Sequence, residues 1–144
     1  MDDFLTHFDF SDECSSGDLS SLFSEKKIEA GGILFDYNDP ADTLYFLKDG
    51  HLAIYKKTGF LDKMQVVALL DPGTIVGEGA ILQQHVRNTR VTAIRDSKLF
   101  GLTKENFEKF KKKFPVTTHQ IVEYLFTIAS LRLEKTSERL ARIL

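Results

Sequence analysis

A chain of 144 residues, 42% of them hydrophobic, is long enough for one domain with a buried core and too apolar to be a disordered tail. Nineteen Lys and Arg against 21 Asp and Glu leave a formal net charge of -2, so there is no global basic field for nucleic acid or a membrane surface, and KFKKK at 109–113 reads as a solvated helix face. One cysteine, Cys14, excludes an internal disulfide; with an acidic N-terminus and no apolar run near the roughly 18 residues of a membrane span, the expected location is cytoplasmic.

In chain order, residues 1–25 are rich in Asp and Ser with scattered Phe and Leu, which predicts a flexible lead carrying a short helix or two. From 26 to about 102 short apolar or alternating runs follow one another: KIEA, GGILF, TLYFL, HLAIY, QVVALL, TIV, RVTAI and KLFGL. They are cut by DYNDPAD, KDG, KKTGFLDK, DPG and RDS, the close punctuation of an all-β sandwich or barrel. Lys48-Asp49-Gly50 is expected to close a hairpin, because glycine takes positive φ without penalty. His51, His85 and His119 recur at even spacing, but their flanks share nothing and no repeat is implied.

After Leu102 the period becomes helical. Thr103 can cap KENFEKFKKKF, Pro115 stops it, and Thr117 with Gln120 offers a capping box for a second, long helix. Along that helix Val122, Phe126, Ala129, Leu133, Thr136, Leu140 and Ile143 recur by fours and threes as a heptad seam, while Ile121, Leu125 and Ile128 form a second apolar set able to pack on the β body. So few heptads leave two readings open, a dimer seam or one wide stripe buried within the domain.

Residues 77–93, GEGAILQQHVRNTRVTA, carry the densest chemistry. Glu78 to Leu82 suffices for one helical turn, whose first amides, at Gly79 and Ala80, lack intrahelical acceptors and can meet an anion. Arg87, nine positions after Glu78, can turn back and grip phosphate oxygens with its fork. Glu78 accepts hydrogen bonds only, which suits sugar hydroxyls, so the set fits a ribose phosphate better than a bare anion. A metal-dependent cupin would need clustered His and carboxylate ligands, and a dinucleotide-binding turn would need Gly at 82, where Leu stands; neither pattern is present.

From Ala30 on, AGGILFDYNDPADTLYFLKDGHLAIY, VVALLDPGTIVGEGAIL and VRNTRVTAI resemble the cyclic nucleotide-binding domain family, in its catabolite activator branch. The resemblance implies a mainly β fold with flanking helices, a jelly-roll-like β-roll over 26–115 with a phosphate-binding cassette at 76–90, and a dimerisation helix over 116–144 leading into an output domain. It also implies a bound cyclic nucleotide, cAMP first and cGMP as the alternative, with no metal and no catalysis. Gly77 and Glu78 match the Gly-Glu of the cassette, Glu78 on the ribose 2′-hydroxyl; Gly79, Ala80, Asn88 and Thr89 line it, with Ala80 an amide donor and Arg87 on the cyclic phosphate. LRLEKTSERLARIL resembles the branch's dimer helix, which places Thr136 and Ser137 at the base and Arg132 one turn earlier. The cassette departs from the pattern at Gly79, where leucine is usual, at Val86, where proline is frequent, and at Asn88, where Ser, Thr or Ala is common, and Asn88 leaves the base preference open. Expected partners are the nucleotide and a second copy of the chain, with no nucleic acid or membrane contact by this segment. The alternative is a β-roll that serves only as a dimerisation or interaction module.

Overall fold

The computed structural model describes residues 21–61, 63–81 and 85–144. The helices expected in the N-terminal lead, Cys14, and cassette positions 82–84 lie outside them. Among the described residues eight strands form two antiparallel sheets: β1 (Ser24–Ile28), β8 (Ser97–Thr103), β3 (Thr43–Asp49) and β6 (Ile75–Val76) in one, β2 (Ile33–Phe35), β7 (Arg90–Ala93), β4 (Leu52–Lys57) and β5 (Met64–Leu70) in the other. A single 3-10 turn, Glu78–Ile81, follows β6, and two helices close the chain, α1 (Lys104–Lys113) and α2 (Pro115–Ile143). This is the mainly β roll with flanking helices that the sequence implies.

The first sheet is covered on both faces, which explains why TLYFLKD and SKLFGLT are nearly continuous apolar runs. Leu44, Phe46, Phe100 and Leu102 point outward to Phe107, Phe110, Phe114 and Ile121 of the helical layer. Leu47 and Leu99 point inward to meet Leu34, Phe35, Leu52, Val91 and Ala93 of the opposite sheet. Phe23 enters the helical layer edge-on, with ring centroids 5.6 Å from Phe46 and 6.1 Å from Phe110.

Two local expectations are corrected. Lys48-Asp49-Gly50 does not close a hairpin: β3 pairs with β8 and β6, β4 with β5 and β7, so the turn carries the chain from one sheet to the other. Gly50 has φ +98, and a Cβ there would stand 2.2 Å from Ser97 Oγ and 2.6 Å from the Asp96 carbonyl. The hairpin is instead β4–β5, where the Thr58 amide donates to the Lys63 carbonyl at 2.7 Å. Thr103 caps α1 as expected, accepting from the Asn106 amide at 3.0 Å. Helix α2, however, starts at Pro115 with no side-chain cap, rather than at a Thr117–Gln120 box. Pro115 sits at N1, where its missing N–H costs nothing, so Thr117 and Thr118 fall inside the helix and are buried. Thr118 Oγ1 then donates back to the Phe114 carbonyl at 2.8 Å.

Of the two apolar sets on α2, Ile121 is buried in the core with Leu125 packed beside it. The heptad seam faces outward: Phe126 is 74% exposed, Leu133 67%, and Val122, Leu140 and Ile143 are exposed too. Three polar side chains tie α2 to the stretch from β5 to β6. The Tyr124 hydroxyl donates to the Gly73 carbonyl, Arg132 Nη2 to Thr74 Oγ1 at 3.0 Å and to the Ile75 carbonyl, and Arg139 Nη1 to the Val67 carbonyl at 2.8 Å. Burial raises the Tyr124 phenol above its ordinary pKa, against the opposing pull of the Arg132 charge, so this donor keeps its proton.

Candidate functional site

β6 belongs to the first sheet and β7 to the second, and the 3-10 turn Glu78–Ile81 follows β6 on the way between them. Gly77 opens it at φ +80; a Cβ at that position would lie 2.9 Å from Arg87 Nη1 and 3.1 Å from the Thr43 carbonyl. Glycine is therefore needed both for the backbone angle and for the approach of the arginine.

Arg87 is 4% exposed. Its Nη1 donates to the Gly77 carbonyl at 3.1 Å, its Nη2 to the Thr43 carbonyl, and the guanidinium carbon lies 4.1 Å from the centroid of the Phe35 ring. The backbone holds the segment in place as well: the Arg87 amide donates to the Asp39 carbonyl at 2.8 Å and its carbonyl accepts from the Asn38 amide at 3.0 Å. Arg87 Nε is buried with no acceptor among the described residues. A guanidinium has five N–H donors, and two carbonyl bonds leave three for a ligand. Burial lowers the pKa of this group, while the fields of Tyr45, Asp42, Glu78 and Asp39 oppose the shift. An arginine so held stays charged and its charge is poorly hydrated, which favours an incoming anion.

Arg87, Gly77, Glu78, Gly79, Asn88, Thr89 and Arg132 line one cavity of about 140 Å³, together with Phe35 and Ile54. Thr136 lines a second cavity of about 520 Å³ that shares Ile54, Glu78 and Arg132 with the first and runs between β5 and α2. Thr136 Oγ1 donates to the Arg132 carbonyl at 2.8 Å, one turn back along the helix. Ser137 is exposed and lines neither cavity.

Two of the expected contacts are arranged differently. The Ala80 amide is not an open donor: it closes the 3-10 turn onto the Gly77 carbonyl at 3.1 Å, and Ala80 is fully buried and lines neither cavity. A turn closed by i to i+3 bonds uses the amide that a wider α-turn would leave open. Glu78 faces the cavity, but its Oε1 accepts from Arg132 Nη1 at 3.2 Å, so helix and cassette meet through an ion pair. Sequence reasoning missed Phe35, Thr43, Thr74 and Ile75. Three of these act through backbone carbonyls or a ring face and leave no motif; Thr74, beside the DPG turn, had only its hydroxyl as a signal. Among the described residues no group of three or more His, Cys, Asp or Glu is placed to hold a metal ion, and no helix is long and apolar enough to cross a membrane.

A family model described as the cyclic nucleotide-binding domain matches residues 25–114. The cGMP-dependent protein kinase egl-4 of Caenorhabditis briggsae is 27% identical over 127 residues, 88% of this chain and 16% of the kinase. The cyclic AMP receptor protein of Thermus thermophilus is 25% identical over 105 residues, 73% of this chain and 48% of that protein. The chain thus spans less than half of either relative. A cyclic nucleotide-binding domain from Methylobacillus flagellatus superposes with TM-score 0.83 at 16% identity, covering 99% of this chain and 81% of that one. The c-di-GMP responsive regulator CLP of Xanthomonas campestris superposes with TM-score 0.80 at 19% identity, covering 89% and 64%.

Proposed function

The chain belongs to the cyclic nucleotide-binding domain family, and from that premise we propose that it is a cytoplasmic regulatory sensor for a cyclic nucleotide, cAMP in the first instance and cGMP as the alternative, with no catalysis of its own. The observation that carries the reading is Arg87, a nearly buried guanidinium fixed on two carbonyls and a ring face with donors to spare at the mouth of a small polar cavity. A cyclic phosphodiester carries one negative charge and several acceptor oxygens, which suits such a group. Gly77, Gly79, Asn88 and Thr89 frame the phosphate, with Ala80 supporting the turn from below.

Glu78 takes the ribose 2′-hydroxyl in this reading. Because its carboxylate also holds Arg132, ribose and helix compete for it or share it, and either way the position of α2 depends on what fills the cassette. Thr136 lies on the path of the base; Ser137, which faces neither cavity of its own protomer, is assigned to the base of a partner copy. The exposed seam of Val122, Phe126, Leu133, Leu140 and Ile143 supports pairing with that second copy through α2, as knobs of an a/d repeat want a facing helix. The signal then passes along α2 to whatever output follows. This division gives residues 1–25 as a lead, 26–115 as the sensor roll and 116–144 as the transmitting helix.

Calorimetric titration with cAMP, cGMP and 5′-AMP tests the assignment. Saturable binding of a cyclic nucleotide, with 5′-AMP weaker because its second phosphate charge meets Glu78, is the expected result. No heat with either cyclic nucleotide, from a folded protein, would overturn it. A dimer by sedimentation that is silent in titration would favour a pure dimerisation module, in which Arg132 keeps the Glu78 carboxylate assigned here to the ribose.

A further inference from the structure

A cyclic mononucleotide carries one negative charge, and Arg87 suffices for it. The larger cavity nevertheless has more cations on its wall than that ligand needs. Arg132, Lys135 and Arg139 all line the cavity of about 520 Å³ between β5 and α2, at positions i, i+3 and i+7 of one helix face. Two carboxylates share the wall against these three cations: Glu78 is paired with Arg132, and Asp71 lies 2.9 Å from His51 Nδ1. Neither Lys135 nor Arg139 is in an ion pair among the described residues. Arg139 is held against β5 by its bond to the Val67 carbonyl, so its charge stays at the cavity rather than ranging through solvent. A neutral purine gives these two cations nothing to neutralise.

We propose, building on the sensor reading above, that the cavity between β5 and α2 is a second anion subsite, and that the chain takes a cyclic dinucleotide with one phosphodiester at Arg87 and the other at Lys135 and Arg139. The two cavities are neighbours that share Ile54, Glu78 and Arg132 on their walls, so a ligand that displaces the Glu78–Arg132 pair can extend from one to the other. Lys135 and Arg139 stand roughly 4.5 and 10.5 Å along the helix axis from Arg132, at 1.5 Å per residue. That places the second charge past the ribose, where a mononucleotide ends in its base. The size agrees: the smaller cavity alone lies below the roughly 300 to 1,000 Å³ of typical ligand sites, and the larger falls within that range. Thr136, on the same face, is left to meet one of the two bases, which project outward from the ring of riboses and phosphates.

The test is calorimetric titration of the full chain and of the double variant Lys135→Gln/Arg139→Gln with cAMP, cGMP, cyclic di-AMP and cyclic di-GMP at two salt concentrations. Glutamine removes the charge at both positions while keeping a polar side chain, and a melting curve of the variant reads the loss of the Arg139 bond to the Val67 carbonyl separately from ligand affinity. We expect one cyclic dinucleotide to bind at least about ten-fold more tightly than either mononucleotide, with a steeper loss on raising salt, and the double variant to erase that advantage while mononucleotide affinity stays within about two-fold. Binding of a mononucleotide without binding of either dinucleotide would overturn this proposal and leave the sensor reading standing. Dinucleotide binding indifferent to the double variant would overturn the subsite. A preference for cGMP over cAMP that the variant abolishes, with no dinucleotide binding, would make Arg139 a reader of the guanine edge and likewise overturn it. Silence toward all four ligands would overturn the sensor reading itself, and the subsite with it.

Discussion

Replacing Arg87 by lysine keeps the positive charge and removes the fork. The guanidinium spans the carbonyls of Gly77 and Thr43 while its flat face lies on Phe35. An ammonium reaches one carbonyl or the other and has no face to stack. With the ammonium on the Thr43 carbonyl, the Gly77 carbonyl keeps only its bond from the Ala80 amide, and the lost hydrogen bond destabilises the fold by about 0.5–1.5 kcal/mol. At the ligand, loss of one charge-assisted hydrogen bond worth about 1.5–3 kcal/mol weakens binding roughly ten- to 150-fold at 1.36 kcal/mol per decade. The two effects separate in the laboratory: thermal melting reads the first and isothermal titration the second. Since the phosphate is common to all candidate ligands, cAMP and cGMP should lose affinity by the same factor. A melting temperature that falls while the dissociation constant stays within about two-fold would show Arg87 to be a strut of the roll and nothing more, and would refute its assignment to phosphate.

Gly77→Ala forces a Cβ onto φ +80 and against Arg87 Nη1; a loss of about 1–2 kcal/mol in denaturant unfolding, with binding abolished or much weakened, is expected. Thr136→Ala leaves the phosphate contacts alone, so competition titrations should show a changed ratio of cAMP to cGMP affinity and little change in their common part. Phe126→Asp with Leu133→Asp places charges on the exposed seam, and sedimentation velocity should show a dimer become a monomer whose melting temperature is nearly unchanged. Asp36 accepts from Arg90 Nε and Nη2, each at 3.0 Å, and that bond, aided by the Tyr37 amide, holds its carboxyl below the model-peptide value of 3.8. The folded pKa being the lower one, this stability is present above pH 3.8 and is lost as pH falls through the folded value. Asp36→Asn should therefore lower the melting temperature at pH 6 and flatten its dependence on acid below pH 4.

Each of the eight strands among the described residues overlaps a run legible in the sequence, since strand existence is a local property, but β1 begins at Ser24, inside the stretch expected to be a flexible lead. The partners of the strands were not legible. KDG between two alternating runs looks like a hairpin wherever it occurs, and only the long-range pairing of β3 with β8 shows that the chain changes sheets there. The start of α2 was misplaced because a Thr-x-x-Gln box and Pro at N1 are both valid starts, and burial of Thr117 and Thr118 against α1 decides between them. At the site, Glu78, Arg87 and the glycines could be read since they sit in one short stretch. Phe35, Thr43 and Ile75 come from separate strands and contribute a ring face or a carbonyl, for which residue identity is no guide. The engagement of Glu78 by Arg132, 54 positions later, is likewise a fact of tertiary structure alone.

The three ties from α2 fall at Tyr124, Arg132 and Arg139, seven or eight residues apart, and each meets a different point on the strip below it. Slide the helix by one turn toward its N-terminus and Ile128, Thr136 and Ile143 stand over those points; slide it the other way and Gln120, Ile128 and Lys135 do. Neither trio can rebuild the set, so no neighbouring notch catches the helix. The three ties therefore fix a single register of α2 on the roll, and any displacement of the helix along its axis must break all three together.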